Sequence, residues 1–157
     1  MGLRIREILI AIPNNRTKFS LHFRFLQALQ GEHSFPLPDM ILKVENIVYN
    51  ELLIRGYNVD VGIVEVYAKN DEGKTTRKQF EVDFVVNQGS QRYYIQVAYD
   101  MASEEKQKQE FNSFRNIPDS FKKIVVVNGT KKPWRNEEGF VIMGMKYFLL
   151  NADSLEF

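Results

Sequence analysis

Three runs of β-branched and aromatic residues stand close together between residues 57 and 99, divided by turn signals at Asn70-Asp71-Glu72-Gly73 and at Gly89. Strands joined by such short connections pair as antiparallel neighbours, so a sheet is the first structure this chain must build. The strands are expected over 57–68, 76–87 and 92–99. The second and third each carry a polar residue in apolar company: Asp83 in FEVDFVV and Gln96 in YYIQVAY.

Helical signals flank these strands. Pro36-Leu37-Pro38 precedes Asp39, an N-cap residue type, and Gly56 supplies a stop, so a helix is expected over 40–55. At about 100° per residue, Ile41, Val44, Val48, Tyr49 and Leu52 share one face of it. Glu45 falls within that face, where a carboxylate must be paired, protonated or bound to a cation. A second helix is expected over 103–116, polar except for Phe111 and Phe114, with EEKQKQEF as an exposed face carrying local ion pairs. Residues 123–127 are all-apolar after the lysine, as in a buried parallel strand. A polar loop over 128–138 holds the single Trp134, and 139–151 reads as a strand or a strand followed by a helix. From Pro36 the order is α-β-β-β-α-β, an α/β (α+β) chain with a mixed sheet and helices packed on it. Residues 1–35 carry no consistent period: Pro13-Asn14-Asn15 breaks the chain, and FSLHFRFLQALQGEH alternates like a strand before turning into a short helix that stops at Gly31.

Composition removes whole classes of chemistry. The chain has 157 residues, enough for one domain with a proper core. It has no cysteine, hence no disulfide, thiolate nucleophile or cysteine-based zinc site. Its two histidines, His22 and His33, lack metal-motif spacing. A net charge of +1 gives no global footprint for nucleic acid or membrane, and the opening apolar run is interrupted by Arg6 and Glu7. The expectation is a soluble, cytoplasmic protein without a membrane segment.

Asp83 is either a metal ligand or an acid on a solvent-facing side of the sheet, shared with Glu81 and Val85. Gln96 is either a ligand through its carbonyl oxygen or a buried amide satisfied by backbone or by Tyr99. Glu45 is either a ligand or a structural acid paired with Arg55, Arg92 or a backbone donor. Tyr94 and Tyr99 are core residues or stacking groups. Lys131, Lys132, Trp134 and Arg135 are a solvated loop or a weak nucleic-acid contact that joins phosphate-binding charge to a stacking ring.

The segments ENIVYNELLIRGYNVDVG (45–62), FEVDFVV (80–86), YYIQVAYDM (93–101) and PDSFKKIVV (118–126) together resemble the C-terminal domain of unknown function carried by many bacterial AAA-type ATPases. That resemblance spans roughly 36–150 and implies a restriction-endonuclease-like, PD-(D/E)xK fold for 36–157. It implies a site of Glu45, Asp83 and Gln96, catalytic in an active enzyme through Mg²⁺ or Mn²⁺. Residues 1–35 match that family poorly, and two positions differ from those of an active enzyme. The position that carries the site lysine is Ala98, and Gln96 stands where an active enzyme carries a glutamate. No GxxxxGK[S/T] occurs, so ATP hydrolysis by this chain alone is not expected, and the chain is expected to be a C-terminal piece or a stand-alone relative. The expected function is a non-catalytic nuclease-like module that binds or docks DNA or a protein, with an ATPase module as partner. The alternatives are a Mg²⁺-dependent DNA endonuclease, with a relocated cation at Lys43, Arg77 or Arg92, and a truncated product without an independent role.

Overall fold

The computed structural model of the chain describes residues 4–11, 37–69 and 74–157. The strands are β1 (Arg4–Ala11), β2 (Asn58–Lys69), β3 (Thr75–Gln88), β4 (Gln91–Ala98), β5 (Lys122–Val127), β6 (Trp134–Arg135) and β7 (Val141–Gly144). The helices are α1 (Leu37–Ile54), α2 (Glu104–Arg115) and α3 (Met145–Leu150), followed by a 3₁₀ turn at Ser154–Glu156. The strands form one mixed sheet in the order β1-β2-β3-β4-β5-β7-β6. The pairs β1–β2, β2–β3, β3–β4 and β6–β7 are antiparallel; β5 runs parallel to both β4 and β7.

From α1 to β5 the observed order is the expected helix, three strands, helix and strand. The differences lie at the ends. α1 begins at Leu37, so Asp39 sits inside the first turn and is not the cap. β6 arises within the expected loop, because Trp134 and Arg135 pair with Ile142 and Val141. β1 lies in a stretch to which the sequence assigned nothing. The expectations for Pro13, His22, the short helix ending at Gly31, His33 and the turn at 70–73 lie outside the described residues.

Strict alternation builds a core on each face of the sheet. Tyr93, Ile95, Val97, Ile124, Val126, Val141 and Met143 face α1, where Val48 and Leu52 are fully buried, and this cluster also takes in Met145 and Phe148 at α3. Tyr94, Ala98, Val125 and Ile142 face the other way, against Phe111 and Phe114 of α2. Each Val, Ile, Leu, Met or Phe among them removed from water stabilises the fold by about 1.5–3 kcal/mol. Tyr94 is therefore core, and its hydroxyl donates to Asp119 at 2.6 Å.

Arg55 closes the α1 side. Its guanidinium donates to Glu51 (2.8 Å), the Ser154 hydroxyl (2.8 Å) and the carbonyls of Ala152 (3.1 Å) and Phe148, and lies 4.6 Å from the Phe148 ring centroid. It thus joins the C-terminal end of α1 to the end of the chain.

One irregularity positions everything that follows. Asp60 pairs with Val85 but Gly62 pairs with Val82, so β3 carries an extra residue opposite β2, and Asp83 and Phe84 together face Val61. That is a β-bulge, a feature that re-aims side chains. Val82 and Val85 both end on the α2 side, whereas Phe84 and Val86 lie on the α1 side. The solvent-facing row of Glu81, Asp83 and Val85 therefore does not exist: Val85 is fully buried on the far face. Gly62 fits under the bulge only because it lacks a side chain, since a Cβ there would lie 2.7 Å from Val85 Cγ2 and 3.2 Å from Val82 Cβ. Gly62→Ala is expected to lower unfolding free energy by about 1–3 kcal/mol through this overlap, and urea denaturation of the two chains side by side measures it.

Candidate functional site

The β3–β4 ladder runs from Gln88↔Gln91 to Phe84↔Ile95. One residue beyond, at the bulge, the Asp83 carboxylate takes the place of the backbone. Its Oδ2 accepts the Val97 N–H at 2.7 Å and its Oδ1 accepts the Gln96 amide at 3.0 Å. β4 meanwhile continues in register with β5 as far as Ala98↔Val127. The sheet forks here, and the fork brings together the expected residues Asp83 and Gln96.

The surroundings of Asp83 are acidic. Burial pushes its carboxyl well above the ordinary carboxylate range, the Val97 N–H pulls it back in part, and the negative charges of Glu45, Glu110 and Glu81 push it up further. Glu45, on α1, is raised by burial and then by Glu81 and Glu110. Among the described residues it has neither a hydrogen bond nor an ion pair, because Arg55 is committed to Glu51 and Arg92 donates to Asn87 at 2.9 Å. Glu110, on α2, is raised by burial and held back by the neighbouring Gln96 amide. Gln96 Oε1 is buried and has no donor among the described residues. The bonds of Gln96 thus run to Asp83, not to backbone or Tyr99.

Glu110 and Glu81 were not singled out in the sequence. Glu110 had a signal: it stands beside Phe111 and four residues before Phe114, on the flank of the only apolar stripe of α2.

Among the described residues, every charged neighbour acting on Asp83 is an acid. Ala98 is 2% exposed and packed in the apolar cluster under α2. Of the cations considered as replacements for the missing lysine, Arg77 pairs with Glu65 and Arg92 is held at the opposite end of β4; Lys43 lies on α1, its side chain outside the described residues. Among the described residues, no three carboxylate or imidazole groups converge closely enough to hold a metal ion. Both Asp83 oxygens already accept hydrogen bonds, and the adjacent Gln96 brings no charge to the donor set.

The basic loop divides. The Lys131 ammonium lies 5.6 Å from the centroid of the 40%-exposed Trp134 ring. Arg135, pointing the other way, donates to the carbonyls of Gly139 (3.3 Å) and Phe157 (3.0 Å). Lys132 is exposed. Lys131 and Trp134 border a cleft with the half-buried Tyr99; Lys132 and Arg135 do not. No helix among the described residues is long and apolar enough to cross a membrane.

The three raised carboxyls give a signed pH dependence. The folded chain holds their protons more tightly than the unfolded chain, so their contribution falls as pH rises from the ordinary range near about 4 through their raised values. Asp100 and Glu138, held down by Lys106 and Arg115, act in the opposite sense, so the clean readout is a difference between two chains. In Asp83→Asn the side-chain carbonyl still accepts from Val97, and the amide, with Gln96 turned over, donates to the orphaned Oε1. Asp83→Asn is expected to melt above wild type at neutral pH, with the gap closing toward about pH 4. Thermal denaturation of both chains across that range checks it, and a gap that widens in acid would contradict it.

One curated relative, an uncharacterized protein of Haemophilus influenzae, is 32% identical over 84 residues, covering 54% of this chain and 17% of the relative. The chain therefore spans less than a fifth of the relative's length. No solved structure matches. A family model, described as a domain of unknown function (DUF4143), matches residues 43–148, from α1 to α3 and across the whole fork. The chain belongs to the DUF4143 family.

Proposed function

We propose that this chain is a non-catalytic, restriction-endonuclease-like module that acts by binding or docking, within a bacterial ATPase system. The observation that carries this is the employment of Asp83: both of its oxygens accept hydrogen bonds that hold the fork between β3 and β4. The burial of Ala98 supports it, since a lysine at that position would have to enter an apolar cluster. The order of helix, three strands, helix and strand, the Asp83–Gln96 contact and the charge of Glu45 acting on Asp83 support the nuclease-like reading. The small share of the Haemophilus influenzae relative that is matched agrees with a module in a larger protein. DNA and an ATPase module are the partners this reading names.

One observation favours the alternative, a Mg²⁺-dependent DNA endonuclease. Gln96 Oε1 is a buried acceptor without a donor among the described residues, the kind of atom a cation would satisfy. Incubation with linear, nicked and branched DNA in Mg²⁺ or Mn²⁺ separates the two. The expected result is no cleavage above that of Asp83→Asn, together with no saturable rise in Tm for either chain at millimolar Mn²⁺. Cleavage that disappears in Asp83→Asn would overturn the proposal and establish the nuclease.

A further inference from the structure

β4, β5 and β7 run parallel, and their carboxyl ends open into a cleft of ≈ 730 Å³. The chain leaves β4 for α2 on one face of the sheet and leaves β7 for α3 on the opposite face. Connections that part to opposite faces leave a crevice beyond the strand ends, the position where open α/β sheets take ligands. The loop after β5 is pressed into place as one wall: a Cβ on Gly144 would lie 2.6 Å from Lys131 N and 2.8 Å from Gly129 O.

The charges around the cleft largely cancel. Arg115 is forked onto Glu138 (2.7 and 2.6 Å), Lys106 binds Asp100 (2.9 Å) and Lys108 lies 3.9 Å from Glu104. Such a lining offers little to a polyphosphate. Among the described residues the lining keeps without a hydrogen bond or ion pair the Asn128 amide, the Tyr99 hydroxyl, the Glu137 carboxylate and the Lys131 ammonium, which lies 5.6 Å from the centroid of the exposed Trp134 ring, above a floor that includes Phe111 and Ile142. An exposed indole that shares one cleft with an amide and a hydroxyl suits a flat ring with donors and acceptors on its edge.

We propose that this cleft binds a nucleobase, stacked on Trp134 and hydrogen-bonded by Asn128 and Tyr99. The base is supplied either by a free nucleoside or by an unpaired position in a nucleic acid strand. The proposal rests on residues separate from the fork, so it stands or falls apart from the function proposed above. Trp134 is the chain's single tryptophan and reports directly on its own site.

The experiment titrates the full chain with adenosine, guanosine, cytidine and thymidine, and separately with short single-stranded DNA oligonucleotides, following tryptophan emission. Saturable quenching by at least one nucleoside, little changed by salt, identifies free nucleoside as the source. Saturation by oligonucleotide alone, weakened by salt, identifies the strand. In both cases Asn128→Ala is expected to weaken binding about fivefold. Trp134→Ala, followed by calorimetry, is expected to weaken it about tenfold. No saturation with any of these probes, or affinities unchanged in both Asn128→Ala and Trp134→Ala, would overturn the proposal.

Discussion

A single hydrogen bond, from the Val97 N–H to the Asp83 carboxylate, decides how this sheet is laid out. Antiparallel strands ordinarily satisfy one another's backbone along their whole length. β3 cannot do so for β4, because the bulge at Asp83 and Phe84 takes its backbone out of register just where the ladder with β4 ends. A carboxylate fills the gap. The donor is satisfied, β4 continues beside β5 as a parallel neighbour, and its carboxyl end reaches the cleft.

The fork also explains why acids from both faces meet at one point. In a regular sheet, a side chain on one face is shielded from the opposite helix by the sheet itself. At the fork the backbone parts, so Glu45 from α1 and Glu110 from α2 both act on Asp83. Packing has its own part in this. Gly62 admits Val82 and Val85 to the α2 side together, and that shift of alternation holds Asp83 at the opening.

Much of this was legible in the sequence. The strands at 57–99 and the helix after them carried periodicity and turn chemistry strong enough to fix element order, and their observed limits differ from the expected ones by about a residue. Asp83 and Gln96 stood out as polar residues in apolar runs, and they are in contact. The bulge was not legible, because alternation along FEVDFVV has no mark for one extra residue, and so Asp83 was wrongly aligned with Val85. The partners of Arg55 were equally hidden: three lie about a hundred residues away, at Phe148, Ala152 and Ser154, and no local pattern reports such a contact. β6 was missed because two residues are too short for any period to show.

The identity of residue 96 determines what kind of site the fork is. A glutamate there would set a second carboxylate against Asp83 among three further acids, and only a cation or a shared proton would make that arrangement tolerable. Glutamine changes the balance in two ways. It removes a charge, and it turns the contact from repulsion between acceptors into a donated hydrogen bond of 3.0 Å. Ala98 stands in the apolar cluster under α2, where a lysine would have to bring its charge among Val125, Phe111 and Phe114. On the function proposed above, Gln96 and Ala98 are consistent with each other as parts of a site that holds itself together without an ion. The cost that remains is the raised carboxyl of Asp83 and one acceptor, Gln96 Oε1, left without a donor.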